Sequence, residues 1–173
     1  MIASIRELLA REKVPYTLFR HRPAYTALEV TAVSHVPGRC WAKVVICLAD
    51  SEVVQAVLPA HYTVDLDQLR ALAGAQSVRL AREDEVATLY PECEVGAMPP
   101  FGVIYGHRVF VDRTFVGEPE MVFHAGTHSA ALRMHFGDFA EIARPIVGLF
   151  GRAPARPSGP PISRRIRSSR LES

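Results

Sequence analysis

The stretch Cys40-Trp41-Ala42-Lys43-Val44-Val45-Ile46-Cys47-Leu48 is apolar at every position but Lys43. A β-rich run of this length suits a central strand buried on both faces. Period-2 alternation places Trp41, Lys43, Val45 and Cys47 on one face and Ala42, Val44, Ile46 and Leu48 on the other. Lysine is almost never fully buried without a partner. Lys43 therefore either snorkels to solvent at the strand's end or points into a polar pocket. In a pocket it offers three donors and a positive charge where a carbonyl oxygen or phosphate can sit.

Working outward, Asp50-Ser51 turns the chain and Val53–Leu58 returns as a second strand, predicting a hairpin. Upstream, Ile2, Ile5, Leu8 and Leu9 fall at helical spacing over 2–13, and Pro15 stops that helix. Tyr16–Arg20 reads as a short strand. Thr26 and Glu29 have capping-box spacing and open a helix over about 27–35, ended by Pro37-Gly38. Downstream, Asp65–Leu72 reads as a helix, Val78–Ala81 as a strand and 83–89 as a helix opened by three acids. Residues 91–102 hold three prolines and two glycines and read as an irregular loop. Val103–Ile104 and Val109–Val111 flank Tyr105-Gly106-His107, a predicted hairpin. Met121–Ala125 and Ala131–Met134 are strand candidates, and Gly137-Asp138 starts a last helix that Pro145 closes. Mixed order with hairpins predicts an α+β domain around a mostly antiparallel or mixed sheet.

The chain of 173 residues supports one domain and a tail. No apolar run approaches the ~18 residues of a membrane span. Arg6, Glu7, Arg11 and Glu12 interrupt the first apolar stretch, against a secretory signal. Cys40, Cys47 and Cys93 form neither CxxC pair nor even set, so no disulfide framework or cysteine-rich zinc site is indicated. The expectation is a cytoplasmic protein. The formal charge of +2 hides a split: residues 151–173 carry six arginines and one acid, +5, leaving 2 − 5 = −3 for residues 1–150. With four prolines and few apolar residues, 151–173 reads as a disordered tail. Such a tail either holds a polyanion such as tRNA loosely by counterion release or is a neutral extension.

The chain lacks GxSxG, GxxxxGK[ST] and GxGxxG, so hydrolase-elbow, phosphate-loop and dinucleotide readings have no support. His124 and His128 are four apart, but Gly126 lies between them and no acid completes an HExxH pattern, so two separate structural histidines are expected and no metal. Gly96-Ala-Met-Pro-Pro100-Phe-Gly102 combines permissive glycines with stiff prolines. It is either a plain connection or a rigid loop whose N–H groups grip a carbonyl. Gly126 allows close approach of a ligand, and His128 could exchange a hydrogen bond with it.

Four ordered segments, His21-Arg-Pro-Ala-Tyr-Thr26 with Glu29, Ala42-Lys43, Gly96 to Gly102 with its GxxxP spacing, and Ala125-Gly126-Thr127-His128 followed by Asp138-Phe139, together resemble the YbaK-type aminoacyl-tRNA deacylases. That family is related to the editing domain inserted in bacterial prolyl-tRNA synthetases. The resemblance covers about residues 1–150. It implies a single domain with a mixed, barrel-like sheet flanked by helices. It implies hydrolysis of the ester joining a wrongly attached amino acid to the 3′ acceptor end of tRNA, most reasonably a small one on tRNA(Pro), with no cofactor or metal. It also implies an aminoacyl-tRNA synthetase as a partner. Lys43 falls on the functional lysine, and Gly96 and Pro100 on the loop positioning the aminoacyl carbonyl. His21, Thr26, Pro99, Phe101, Gly102, Gly126, Thr127 and His128 are the expected substrate-binding residues. An activated ester needs only carbonyl polarisation and a held water, so no paired Ser or Cys nucleophile is required. The alternative is a small-ligand or tRNA-end binding module of the same fold without turnover.

Overall fold

The computed structural model describes residues 1–156. Beyond Arg156, the expected disordered tail lies outside the described residues. Helix α1 (Ala3–Glu12) buries Ile5, Leu8 and Leu9, the face its spacing predicts. Strand β1 (Thr17–Arg20) follows, then α2 (Ala27–Ser34). The capping box forms: the Thr26 hydroxyl accepts the Glu29 N–H at 3.2 Å and the Glu29 carboxylate accepts the Thr26 N–H at 3.0 Å. Strands β2 (Ala42–Ala49) and β3 (Glu52–Pro59) make the predicted hairpin, with Ala49 opposite Glu52 and Ala42 opposite Pro59.

The chain continues through β4 (Thr63–Val64), α3 (Leu66–Ala73), β5 (Val78–Leu80) and α4 (Glu83–Leu89). Then come β6 (Arg108–Asp112), β7 (Glu120–His124), β8 (Ala130–His135), α5 (Phe136–Ala143), β9 (Ile146–Gly148) and β10 (Gly151–Arg152). A five-stranded sheet runs β5-β2-β3-β6-β9, a three-stranded one β1-β8-β7, and β10 pairs with β4. The class is α+β with a mixed sheet, as expected. The described sheets stay open and do not close into a barrel; a bridge from Trp41 to Val122 joins the two larger ones.

The five-stranded sheet is buried on both faces. Ala42, Val44 and Ile46 pack toward α1, Phe101, Phe123, Leu132 and Phe139. Cys47, Val54, Ala56 and Leu58 pack toward Leu69, Phe110 and Phe150. Central burial of β2 is what its unbroken apolar run requires.

Two expectations are corrected. Residues 103–111 are not a hairpin: Gly102–Tyr105 is one turn of 3-10 helix, and β6 runs parallel to both β3 and β9. Val103–Ile104 is too short to show alternation, and the preceding Phe101 is buried in the core, so the chain coils there. The fold also runs two residues past 150. The Asp112 carboxylate accepts the N–H groups of Phe150 at 3.0 Å and Gly151 at 2.7 Å and holds β10 in place. Arg152 further pairs with Asp65 at 2.7 Å.

Candidate active site

A cavity of about 360 Å³ opens where β2, the start of α2 and the end of β7 meet. Tyr25, Thr26, Trp41, Lys43, Gly96 and His124 line it, with Val30, Ala42, Val44 and Ala60. Thr26 is there because it caps α2. Trp41 is there because its indole N–H donates to the Ser34 hydroxyl at 2.8 Å, which ties β2 to the end of α2.

Lys43 is half-buried, and burial lowers its pKa from the ordinary lysine value. Among the described residues its ammonium has neither hydrogen-bond nor ion-pair partner. Of the two readings open to this lysine, the geometry shows a side chain on a cavity wall shared with Gly96. A desolvated, unpaired cation is a ready acceptor of negative charge developing on a bound oxygen.

The Gly96 loop and the Gly126–His128 turn are stitched together. Glu94 N–H donates to Gly126 O at 2.9 Å, and Gly126 N–H donates to Ala97 O at 3.0 Å. The Glu94 carboxylate accepts the His128 N–H at 2.8 Å, and His128 Nε2 lies 2.8 Å from Val95 O, the ring donating. That bond leaves His128 Nδ1 buried and unpartnered. Gly96 has φ +89°, a conformation that disfavours side chains, and a Cβ there would stand 3.3 Å from His128 Cε1. Gly126, at φ +99°, lies against Ile2, so both glycines are demanded by conformation and by space. The Gly96 N–H has no partner among the described residues.

The expected site residues stand at different distances from the cavity. Lys43, Thr26 and Gly96 line the cavity directly. His21 and His128 stand just behind it, through the rings of Trp41, His124 and Tyr25. Pro99, Pro100, Phe101 and Gly102 do not line it. Phe101 is fully buried against Phe123 and Phe139, so it anchors the loop instead of touching a ligand. Gly102 begins the short helix and its carbonyl accepts the His107 N–H at 2.9 Å. Thr127 is half-buried in the turn, its carbonyl accepting the Ala130 N–H.

Sequence reasoning missed Tyr25, Trp41 and His124 as lining residues. His124 and His128 are not separate structural histidines: their rings sit 5.3 Å apart, and His124 lies at the same distance from Trp41, tilted against it. Burial, reinforced by the neighbouring histidines, pushes the His124 pKa down to about 4. His124 is therefore neutral at physiological pH. Of the lining residues, Tyr25 is strongly exposed.

Residues 21–142 match the aminoacyl-tRNA editing domain family. The chain belongs to that family. It is 26% identical over 151 residues to the prolyl-tRNA editing protein ProX of Acetoanaerobium sticklandii, covering 83% of this chain and 88% of ProX. It is 30% identical over 110 residues to the proline–tRNA ligase of Nitratidesulfovibrio vulgaris, covering 64% of this chain but only 19% of the ligase. Among solved structures, the hypothetical protein APE2540 superposes with a TM-score of 0.79 at 24% identity, over 86% of this chain and 99% of that one. A candidate trans-editing enzyme for prolyl-tRNA synthetase superposes with a TM-score of 0.75 at 18% identity, over 87% and 96% of the two chains. These two superpositions establish the shared fold.

Proposed function

We propose that this editing domain hydrolyses the ester of a mischarged aminoacyl-tRNA in trans, releasing the amino acid from the 3′ end. The substrate is a small aminoacyl group on tRNA(Pro), a reading whose tRNA is supported by the similarity to a prolyl-tRNA editing protein. The observation that carries it is the unpaired Lys43 ammonium on a cavity wall shared with Gly96.

In this reading the ester carbonyl lies between Lys43 and the open Gly96 N–H. Water adds to the carbonyl carbon, and the oxyanion is held by the ammonium and the backbone donor. The ribose 3′ oxygen then leaves with a proton. No Asp or Glu is among the lining residues, and a histidine with a pKa near 4 is a weak base. The substrate's ribose 2′-hydroxyl, which adjoins the ester, therefore relays the proton: it takes one from the attacking water as it gives its own to the departing 3′ oxygen. Lys43 orients and stabilises; it does not shuttle protons. Pro100, which does not line the cavity, serves by stiffening the loop. The walls of Trp41, Val30, Val44 and Ala60 admit a small side chain, and such a pocket separates neighbours differing by one methylene by only ~1–3 kcal/mol. Selection of the tRNA then comes from association with a synthetase, and the arginines beyond Arg152 add a salt-dependent hold on the phosphate backbone. The protein works where tRNA is charged, in the cytoplasm.

The test is release of labelled amino acid from alanyl-, cysteinyl- and seryl-tRNA(Pro). The wild type hydrolyses at least one of them. Lys43→Ala slows the single-turnover step by about 100- to 1000-fold, as loss of an oxyanion donor does, with an unchanged melting temperature. Lys43→Arg does not restore the rate, because a planar fork cannot replace a compact ammonium in that space. Binding of the 3′ end without release by the wild type supports the binding-module reading instead.

A further inference from the structure

Gln55 lies in the middle of the five-stranded sheet, beside Ile46 of β2 and Val109 of β6, and is fully buried. A buried amide among apolar neighbours costs stability unless it is bonded. Its Nε2 lies 3.3 Å from Pro99 O and 3.3 Å from the Tyr90 hydroxyl. The Tyr90 hydroxyl in turn lies 2.7 Å from His107 Nδ1. Gln55 Oε1 has no partner, so the amide is oriented by what its nitrogen donates to.

The target of that donation is informative. Pro99 O also accepts the Phe101 N–H at 2.9 Å, and neither Pro99 nor Pro100 has an N–H of its own. Among the described residues Gln55 is the only side chain that hydrogen-bonds the backbone of 96–102. Phe101 clamps one end of the loop by packing, Glu94 and Val95 clamp the other against the Gly126–His128 turn, and Gln55 holds the middle.

We propose that Gln55 is a positioning residue that sets the height of the Gly96–Pro100 loop over the cavity by donating to the Pro99 carbonyl, with Tyr90 and His107 fixing its amide. The inference rests on the deacylase reading for its kinetic consequence, but not for its structural one. Gln55 touches no substrate and acts only through the loop.

The experiment uses the full chain. Gln55→Met keeps length and volume and removes the donor. Amide hydrogen exchange at Ala97 and Phe101 speeds up in this variant, and the Pro99 carbonyl carbon shifts in the NMR spectrum. Single-turnover deacylation falls about tenfold, the worth of one buried hydrogen bond to geometry, with KM unchanged. Gln55→Glu provides a second readout if Met packs poorly. A protonated carboxyl can donate to Pro99 O and an ionised one cannot, so this variant gains an alkaline loss of rate and of loop protection that the wild type lacks. The proposal is overturned if Gln55→Met leaves loop exchange and the Pro99 shift at wild-type values, or if Gln55→Glu shows the wild-type pH profile. If wild type itself releases no amino acid, the deacylase reading fails, while the exchange and carbonyl shifts still decide the role of Gln55 in the loop.

Discussion

Gly96 is the residue where conformation and site meet. Its φ of +89° disfavours any side chain, and a built Cβ would crowd the His128 ring at 3.3 Å. Gly96→Ala costs about 1–2 kcal/mol for the backbone alone, and the ring must also move. Deacylation drops at least tenfold because the loop is displaced from its working geometry. Denaturant unfolding and single-turnover rates on the same variant check both parts. His124 yields a second residue-scale expectation. Its folded pKa of about 4 lies below the ordinary 6.5, so its contribution to stability is fully present above about pH 6.5 and is lost as pH falls toward 4. Ring NMR should show His124 neutral down to about pH 4, and a titration near 6.5 would contradict the buried site described. Lys43 was legible in the sequence because one charge in an apolar strand must be explained. His124 was not, because its place at the end of β7 became visible only once the turn brought it to Trp41. Gln55 was invisible too: in a hairpin strand a glutamine reads as an outward-facing residue, and only the segments carrying Tyr90 and Pro99, folded over that face of β3, cover it.

At the scale of elements, the helices and the β2–β3 hairpin followed from apolar spacing, capping and turn residues, as the Thr26–Glu29 box illustrates. The failures were local ones. Strands of two or three residues, such as β4, β9 and β10, carry no measurable alternation and exist only because a partner is nearby. The junction of β6 with β10 shows how they are held. Burial pushes the Asp112 carboxyl up, but the N–H groups of Phe150, Thr114 and Gly151 outweigh this and hold its pKa below the ordinary value. By linkage, that stabilisation is present above about pH 4 and is lost as pH falls through the lowered value. Asp112→Asn turns an acceptor into a donor facing N–H groups and should cost about 2–3 kcal/mol in denaturant unfolding at neutral pH. A change within error would mean the carboxylate is not what fastens β10.

For the whole molecule, the two sheets and the helices place four sequence segments, separated by up to a hundred residues, around one cavity. The resemblance of those segments was readable, and so was the α+β class. Their mutual distances were not, since they depend on the parallel β3–β6 pairing, which the local pattern does not encode. The central claim is that Lys43 presents its ammonium to the ester end of the substrate. The chain contains two lysines, Lys13 and Lys43, so a ¹⁵N-lysine sample gives two side-chain signals. Titrating this sample with a non-hydrolysable 3′-aminoacylamino-adenosine, and separately with pH, is the most direct test. The account predicts that the Lys43 signal titrates below the ordinary 10.5 and shifts on adding the analogue, while Lys13 ignores it. Two signals that titrate alike and stay put with the analogue present would contradict it.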